Sequence, residues 1–206
     1  MDKFKIDNVE GLTQRDNKVE PFVSCFPTSV GISMTYCLKS IGNDKTAIGC
    51  SPDMQIEDYI NQVISSKEVE DWMKKNTSRL GSWIWKYKKR TIFAVEEYAF
   101  NFLMNPHGFK AQYKSVTYDE LCDHLETHKL PCPVGGNFKS VSTVGGHIVC
   151  AKGFNKIGIK VLIVDDPYGN ALDGYTDKSV ADRTYDSKFF VDGKGKINAL
   201  LISRLS

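Results

Sequence analysis

The sequence contains no Cys-x-x-Cys pair, no internal repeat and no low-complexity stretch. Nor does any apolar run approach the roughly 18–20 residues that a membrane-spanning helix needs. The missing cysteine pair removes the commonest zinc signature, and no cofactor or metal is expected. A charge excess is absent too: 27 Lys and Arg stand against 25 Asp and Glu, a net +2. That total argues against nucleic acid as the partner. The first residues, MDKFKIDNVEGLTQRDNKVEP, lack the apolar core of a signal peptide. Synthesis in a cytoplasm is therefore expected, with release on lysis or carriage in a virus particle left open.

What is present suits an ordinary globular protein. Its 206 residues are 41% hydrophobic and 25% charged, which fits one domain of moderate size with a full core. We expect a single domain over 1–206, with 43–116 as a helical insertion or lobe. The six cysteines, Cys25, Cys37, Cys50, Cys122, Cys132 and Cys150, are expected as reduced thiols, mostly small core residues.

Between Pro27 and Ile41, Val30, Met34, Cys37, Leu38 and Ile41 recur at spacings of three and four, which predicts a helix. Pro27 suits its first position and Gly42 its stop. The pattern predicts a second helix over 55–75, a third in TIFAVEEYAFNFLM (91–104) and a fourth after Thr117, in YDELCDHLETHKL. Seven basic residues and no acidic one lie between Trp72 and Val95, interleaved with Trp83, Trp85 and Tyr87. That segment reads either as a solvated helix and loop or as a cleft lip for an extended anionic substrate. After Pro131 the runs CPVGGNF, HIVCAKGF, IKVLIVDD, KFFVD and INALLISRL read as strands. Helices first and strands second predict an α+β fold with an antiparallel sheet.

Two strands carry ionisable residues at their ends: His147 opens one, and Asp165 and Asp166 close the next. Burying such groups is costly unless they are paired, and a hairpin would let them pair. The glycines before His147 would let a backbone or a substrate come close. Cys25 stands at the start of the first helix, where unpaired backbone donors favour a thiolate. An imidazole beside it would favour the thiolate further and could protonate a leaving amine. A carboxylate would fix that imidazole's tautomer and orientation. Successive residues of a strand face opposite ways, so only one of Asp165 and Asp166 can reach His147.

The ordered set Cys25-Phe-Pro-Thr-Ser, THKLPCPVGGNF, Gly-Gly-His147 and Asp166-Pro-Tyr-Gly resembles the papain-like cysteine peptidases. It is most similar to the branch grouped with the bacteriocin leader-processing peptidases, over about 12–40 and 117–175. The resemblance implies a papain-like fold with Cys25 as nucleophile, His147 as general base and acid, and Asp166 as orienting residue. It also implies an oxyanion-stabilising glutamine upstream of the cysteine. Gln14 is the glutamine available there, eleven residues before Cys25, further than the family's usual spacing. Many relatives have glycine where Phe26 stands, which suggests that Phe26 narrows the mouth of the cleft.

Three functions compete. The first is a thiol hydrolase cutting a peptide or isopeptide amide, with a bacterial or phage cell-wall peptide as substrate. The second is an acyl transferase using the same thioester chemistry. The third is a binding module that has kept the fold and lost the reaction. Structural readings stand beside these: a lone Cys25 or His147 is more often a core residue. His124 and His128, four apart on a helix, form at most half a metal site. A site built from Cys150 and His147 lacks the expected spacing.

Overall fold

The computed structural model describes residues 1–76, 92–142 and 145–205. Trp83, Trp85 and Tyr87, with most of the basic segment, lie outside them.

Helix α1 (Cys25–Lys39) is buried over nearly its whole length. Small side chains allow this, because they let neighbours approach and their hydroxyls find partners inside. Ser29 Oγ donates to Ile148 O at 3.2 Å, and Ser33 Oγ lies 3.4 Å from Cys150 Sγ. These contacts fix α1 against the sheet just below its first turn.

Among the described residues, seven strands form one antiparallel sheet: β1 (Lys3–Lys5), β2 (Phe109–Val116), β3 (Cys132–Asn137), β4 (Gly146–Asn155), β5 (Val161–Asp165), β6 (Arg183–Asp186) and β7 (Ile197–Arg204). Their order is β2-β7-β3-β4-β5-β6, with β1 also on β4. Strand β4 pairs with β3 from Gly146 to Ala151 and then with β1 from Gly153 to Asn155. Gly153 is required at that handover, since a Cβ there would lie 2.5 Å from Phe4 O. Strands β3 and β7 share one ladder pair, Val134 and Ala199, and Ile202 N–H donates to Cys132 Sγ at 3.4 Å. Gly135, Gly136 and Asn198, at the other end of this junction, line one wall of a cleft.

The α+β class and the antiparallel sheet agree with expectation, and differences appear at element level. The helix expected over 55–75 is two, α2 (Ile56–Val63) and α3 (Lys67–Asn76). Ser65 Oγ donates to Asn61 O and Ser66 Oγ accepts from Val69 N–H, so the two serines end one helix and start the next. Helix α4 (Phe93–Met104) and helix α5 (Tyr118–His128) fall as expected, α5 with a full capping box from Thr117 and Glu120. The 43–116 stretch, expected to be helical, ends in strand β2, the sheet edge paired along β7. The KFFVD run, expected as a strand, is a 3-10 turn over Ser187–Phe189, because Asp186 caps Lys188 N–H.

Candidate active site

Cys25 opens α1 at the floor of a cleft of about 540 Å3. The chain is led there by Ser24, whose Oγ donates to Val19 O and Glu20 O. Four N–H groups at a helix start have no partner within the helix. Pro27 has none to offer and Thr28 N–H donates to Ser24 O. The amides of Cys25 and Phe26 are the remaining donors of that turn. Cys25 is largely buried but keeps some exposure, whereas the other five cysteines are buried, and all six are free thiols.

The second residue of β4 is His147, with only 4% of its surface exposed. Its Nε2 lies 2.7 Å from Asp166 Oδ1, which leaves Nδ1 for the hydrogen bond to Cys25. Asp166 is fully buried with both oxygens engaged: Oδ1 also accepts from Tyr168 N–H at 2.9 Å, and Oδ2 from Tyr185 Oη–H at 2.9 Å. Gly169 allows the tight return after Asp166, at φ +113°, where a Cβ would meet Asp177 O at 2.5 Å. Asp165 faces away, to Lys152 Nζ at 2.6 Å and Asp182 N–H at 3.0 Å. The sequence left the two aspartates open; it is Asp166 that meets the imidazole.

The electrostatics follow from these contacts. Burial pushes the Cys25 thiol up, but the hydrogen bond and charge of His147, with a hydrogen bond from Ile148 N–H, outweigh it, and the net shift is downward. Burial pushes His147 down, while the Asp166 charge and the bonds to Asp166 and Cys25 leave it raised overall. Both shifts favour the thiolate–imidazolium form of the pair, in which sulfur is a ready nucleophile.

A family model described as "Peptidase_C39 like family" matches residues 6–190. The chain belongs to that family. Membership bears out the papain-like, leader-peptidase-like resemblance seen in the short motifs and gives the chain a cysteine-peptidase-like fold. No curated protein matches the chain significantly. Among solved structures, it is similar to the crystal structure of UfSP from C. elegans, at 16% identity and a TM-score of 0.39. That alignment covers 63% of this chain and 25% of the other, so this chain spans about a quarter of that structure's length.

Within this Peptidase C39-like chain, Gln14 is not among the residues lining the cleft. It is buried; its Nε2–H donates to Pro21 O at 2.6 Å and its backbone N–H to Pro167 O at 3.0 Å. The eleven-residue spacing thus holds Gln14 as a brace between the Cys25 approach and the Asp166 turn. Phe26 does not narrow the mouth either: it is fully buried against Phe93, with ring centroids 4.5 Å apart. It is Phe93 that lines the cleft, with Gly136, Gly146 and Phe190. A Cβ on Gly146 would meet nothing within 4 Å, so the cleft stays open beside His147.

His124 gives its Nε2 to Ile202 O at 2.9 Å, and burial first of all lowers its pKa to about 4. Cys150 is buried against Ser33, apart from the Asp166-bound His147. Among the described residues, no group of three or more His, Cys, Asp or Glu could hold a metal ion. Sequence reasoning missed Tyr185 and Phe138. Phe138 packs edge-on to His147 at 6.0 Å and to Tyr185 at 5.1 Å, screening the His147–Asp166 bond. Phe138 ends the GGNF run and could have been found there; Tyr185 stands in no motif.

Proposed function

We propose that this chain is a thiol hydrolase that cleaves a peptide or isopeptide amide, with a cell-wall peptide as the first substrate class to test. The observation that carries the reading is the unbroken hydrogen-bonded relay from Cys25 through His147 to Asp166 at the floor of an open cleft. The Cys25 thiolate attacks the amide carbon, and the carbonyl electrons move onto oxygen. The amides of the first turn of α1 stabilise that oxyanion. Imidazolium His147 gives its proton to the leaving amine as the carbon–nitrogen bond breaks, which leaves a thioester and a neutral imidazole. Water then yields a proton to His147 and attacks the thioester, and the acid departs as the thiolate returns. Asp166, held by Tyr185 and Tyr168, keeps the ring oriented throughout.

Iodoacetamide labelling tests the relay. Cys25 is expected to react selectively, with a pH midpoint below the ordinary thiol value of 9.0, and the selectivity should vanish in His147→Ala. Reaction no faster than at the buried cysteines would sink the reading. Product analysis by mass spectrometry with an added amine separates hydrolysis from acyl transfer: free acids alone remove the transferase. A second reading, the inactive binding module, is favoured by Gln14 spending its amide on Pro21 O. Full biological effect of a Cys25→Ala variant would establish it.

A further inference from the structure

On the far side of α1 lies a second cavity, of about 620 Å3, bounded by the 10–16 segment, α1 and the start of α2. Neither the relay nor the cleft uses it. Its notable wall residue is Glu57, which is 3% exposed. The neighbouring carboxylate shows what a satisfied acid looks like here: Asp58, equally buried, accepts from the backbone N–H groups of Lys18 and Val19. Glu57 accepts from its own backbone N–H and has no ion pair among the described residues, although the charge of Lys45 acts on it from a distance. Of the lysines on the rim, Lys39 pairs with Glu10, and Lys45 donates to Met54 O while keeping its charge. Asp16, on the same wall, adds a second negative charge.

Burial first of all raises Glu57 to about 7, so it is ionised only in part at neutral pH, and a cation in the cavity beside it would favour the carboxylate. The donor set does not suit a metal ion, since no three-ligand group exists among the described residues. The remaining walls include apolar Leu12, Pro52 and Ile56, which suit a hydrocarbon stem. We propose that this cavity is a binding site for a small alkylammonium compound, with Glu57 as counter-ion to the ammonium and Leu12 and Ile56 against its stem. The occupant also touches the segment whose Thr13 and Gln14 bond Pro167 O, next to Asp166.

Titration with cadaverine, followed by calorimetry or amide shifts of the intact chain, tests this. Saturable binding is expected in the wild type, with none for pentanol, which has the stem but not the charge. Glu57→Gln is expected to weaken cadaverine by about ten- to a hundredfold, the worth of a hydrogen bond to a charged group. Cys25 alkylation at the wild-type rate will show that this variant is folded. The proposal is overturned if cadaverine fails to saturate, if pentanol binds as well, if magnesium displaces cadaverine, or if Glu57→Gln binds equally. The wild-type comparison of cadaverine with pentanol stands even should the variant fail to fold. None of these outcomes depends on Cys25 being a catalyst.

Discussion

The two sides of the β5 terminus hold two buried aspartates in consecutive positions, and they are built differently. Asp165 meets Lys152, 3% exposed, in an ion pair, and leaves its Oδ2 without a hydrogen-bond partner among the described residues. Asp166 meets His147, with Tyr185 and Tyr168 filling its remaining sites. A lysine gives Asp165 a fixed charge partner, which suits a structural tie between β4 and β5. A histidine gives Asp166 a partner able to take up and release a proton, which suits chemistry. One strand end thus separates a scaffold from a reaction by alternation alone.

The strongest way to break this contrast is on the histidine side. His147→Ala is expected to cut turnover by about 10²–10⁴-fold, the usual worth of a general acid–base. On the other side, Lys152→Ala should leave turnover in place. Leaving Asp165 buried and unpaired is expected to cost about 3–5 kcal/mol, read by urea denaturation, while the pH midpoint of Cys25 alkylation stays put. If Lys152→Ala shifted that midpoint as far as His147→Ala does, the two sides would not be separate. Tyr185→Phe sharpens the picture by removing a hydrogen bond to a charged oxygen, worth about 1.5–3 kcal/mol. It should lower turnover and leave substrate affinity unchanged.

The smallest effect is in the pH dependence of stability. Cys25, whose folded pKa is lowered, contributes stability that is present above its ordinary 9.0 and lost as pH falls through the folded value. His147, whose folded pKa is raised, contributes stability that is present below its ordinary 6.5 and lost as pH rises through the folded value. Where the two ranges overlap the slopes cancel. Cys25→Ser removes one of them, so stability should then decline with pH from 6.5 upward, by at most about 1.4 kcal/mol per pH unit. A flat profile in that variant would mean that Asp166 alone does not raise the imidazole, and that its upward shift depends on Cys25.

Much of this was legible in the sequence, for identifiable reasons. Helix α1 was visible because apolar spacing and Pro27 are local signals, and its true start at Cys25 lies two residues earlier than Pro27. Helix α5 announced itself through its cap. Strand β2 was not visible: in FKAQYKSV only Phe109, Ala111 and Val116 are buried, the pattern of an edge strand with one covered end. Cys25, His147 and Asp166 could be proposed because each stands in a short motif. The fate of Gln14 could not, since its partners Pro21 O and Pro167 O are backbone atoms brought near by the fold. Tyr185 was hidden because it stands in no motif: it lies 19 residues from the carboxylate it holds, as far as His147 does, with no glycine pair beside it to mark it.

The junction between β7 and β3 has a mechanical consequence. Its ladder is short, one pair at Val134 and Ala199, but Ile202 N–H also donates to Cys132 Sγ and all four of these residues are fully buried. Parting it would expose that apolar packing as well as break the bonds. The wall beside the cleft therefore keeps its place when a guest enters, and His147, Asp166 and the floor beneath Cys25 keep their spacing.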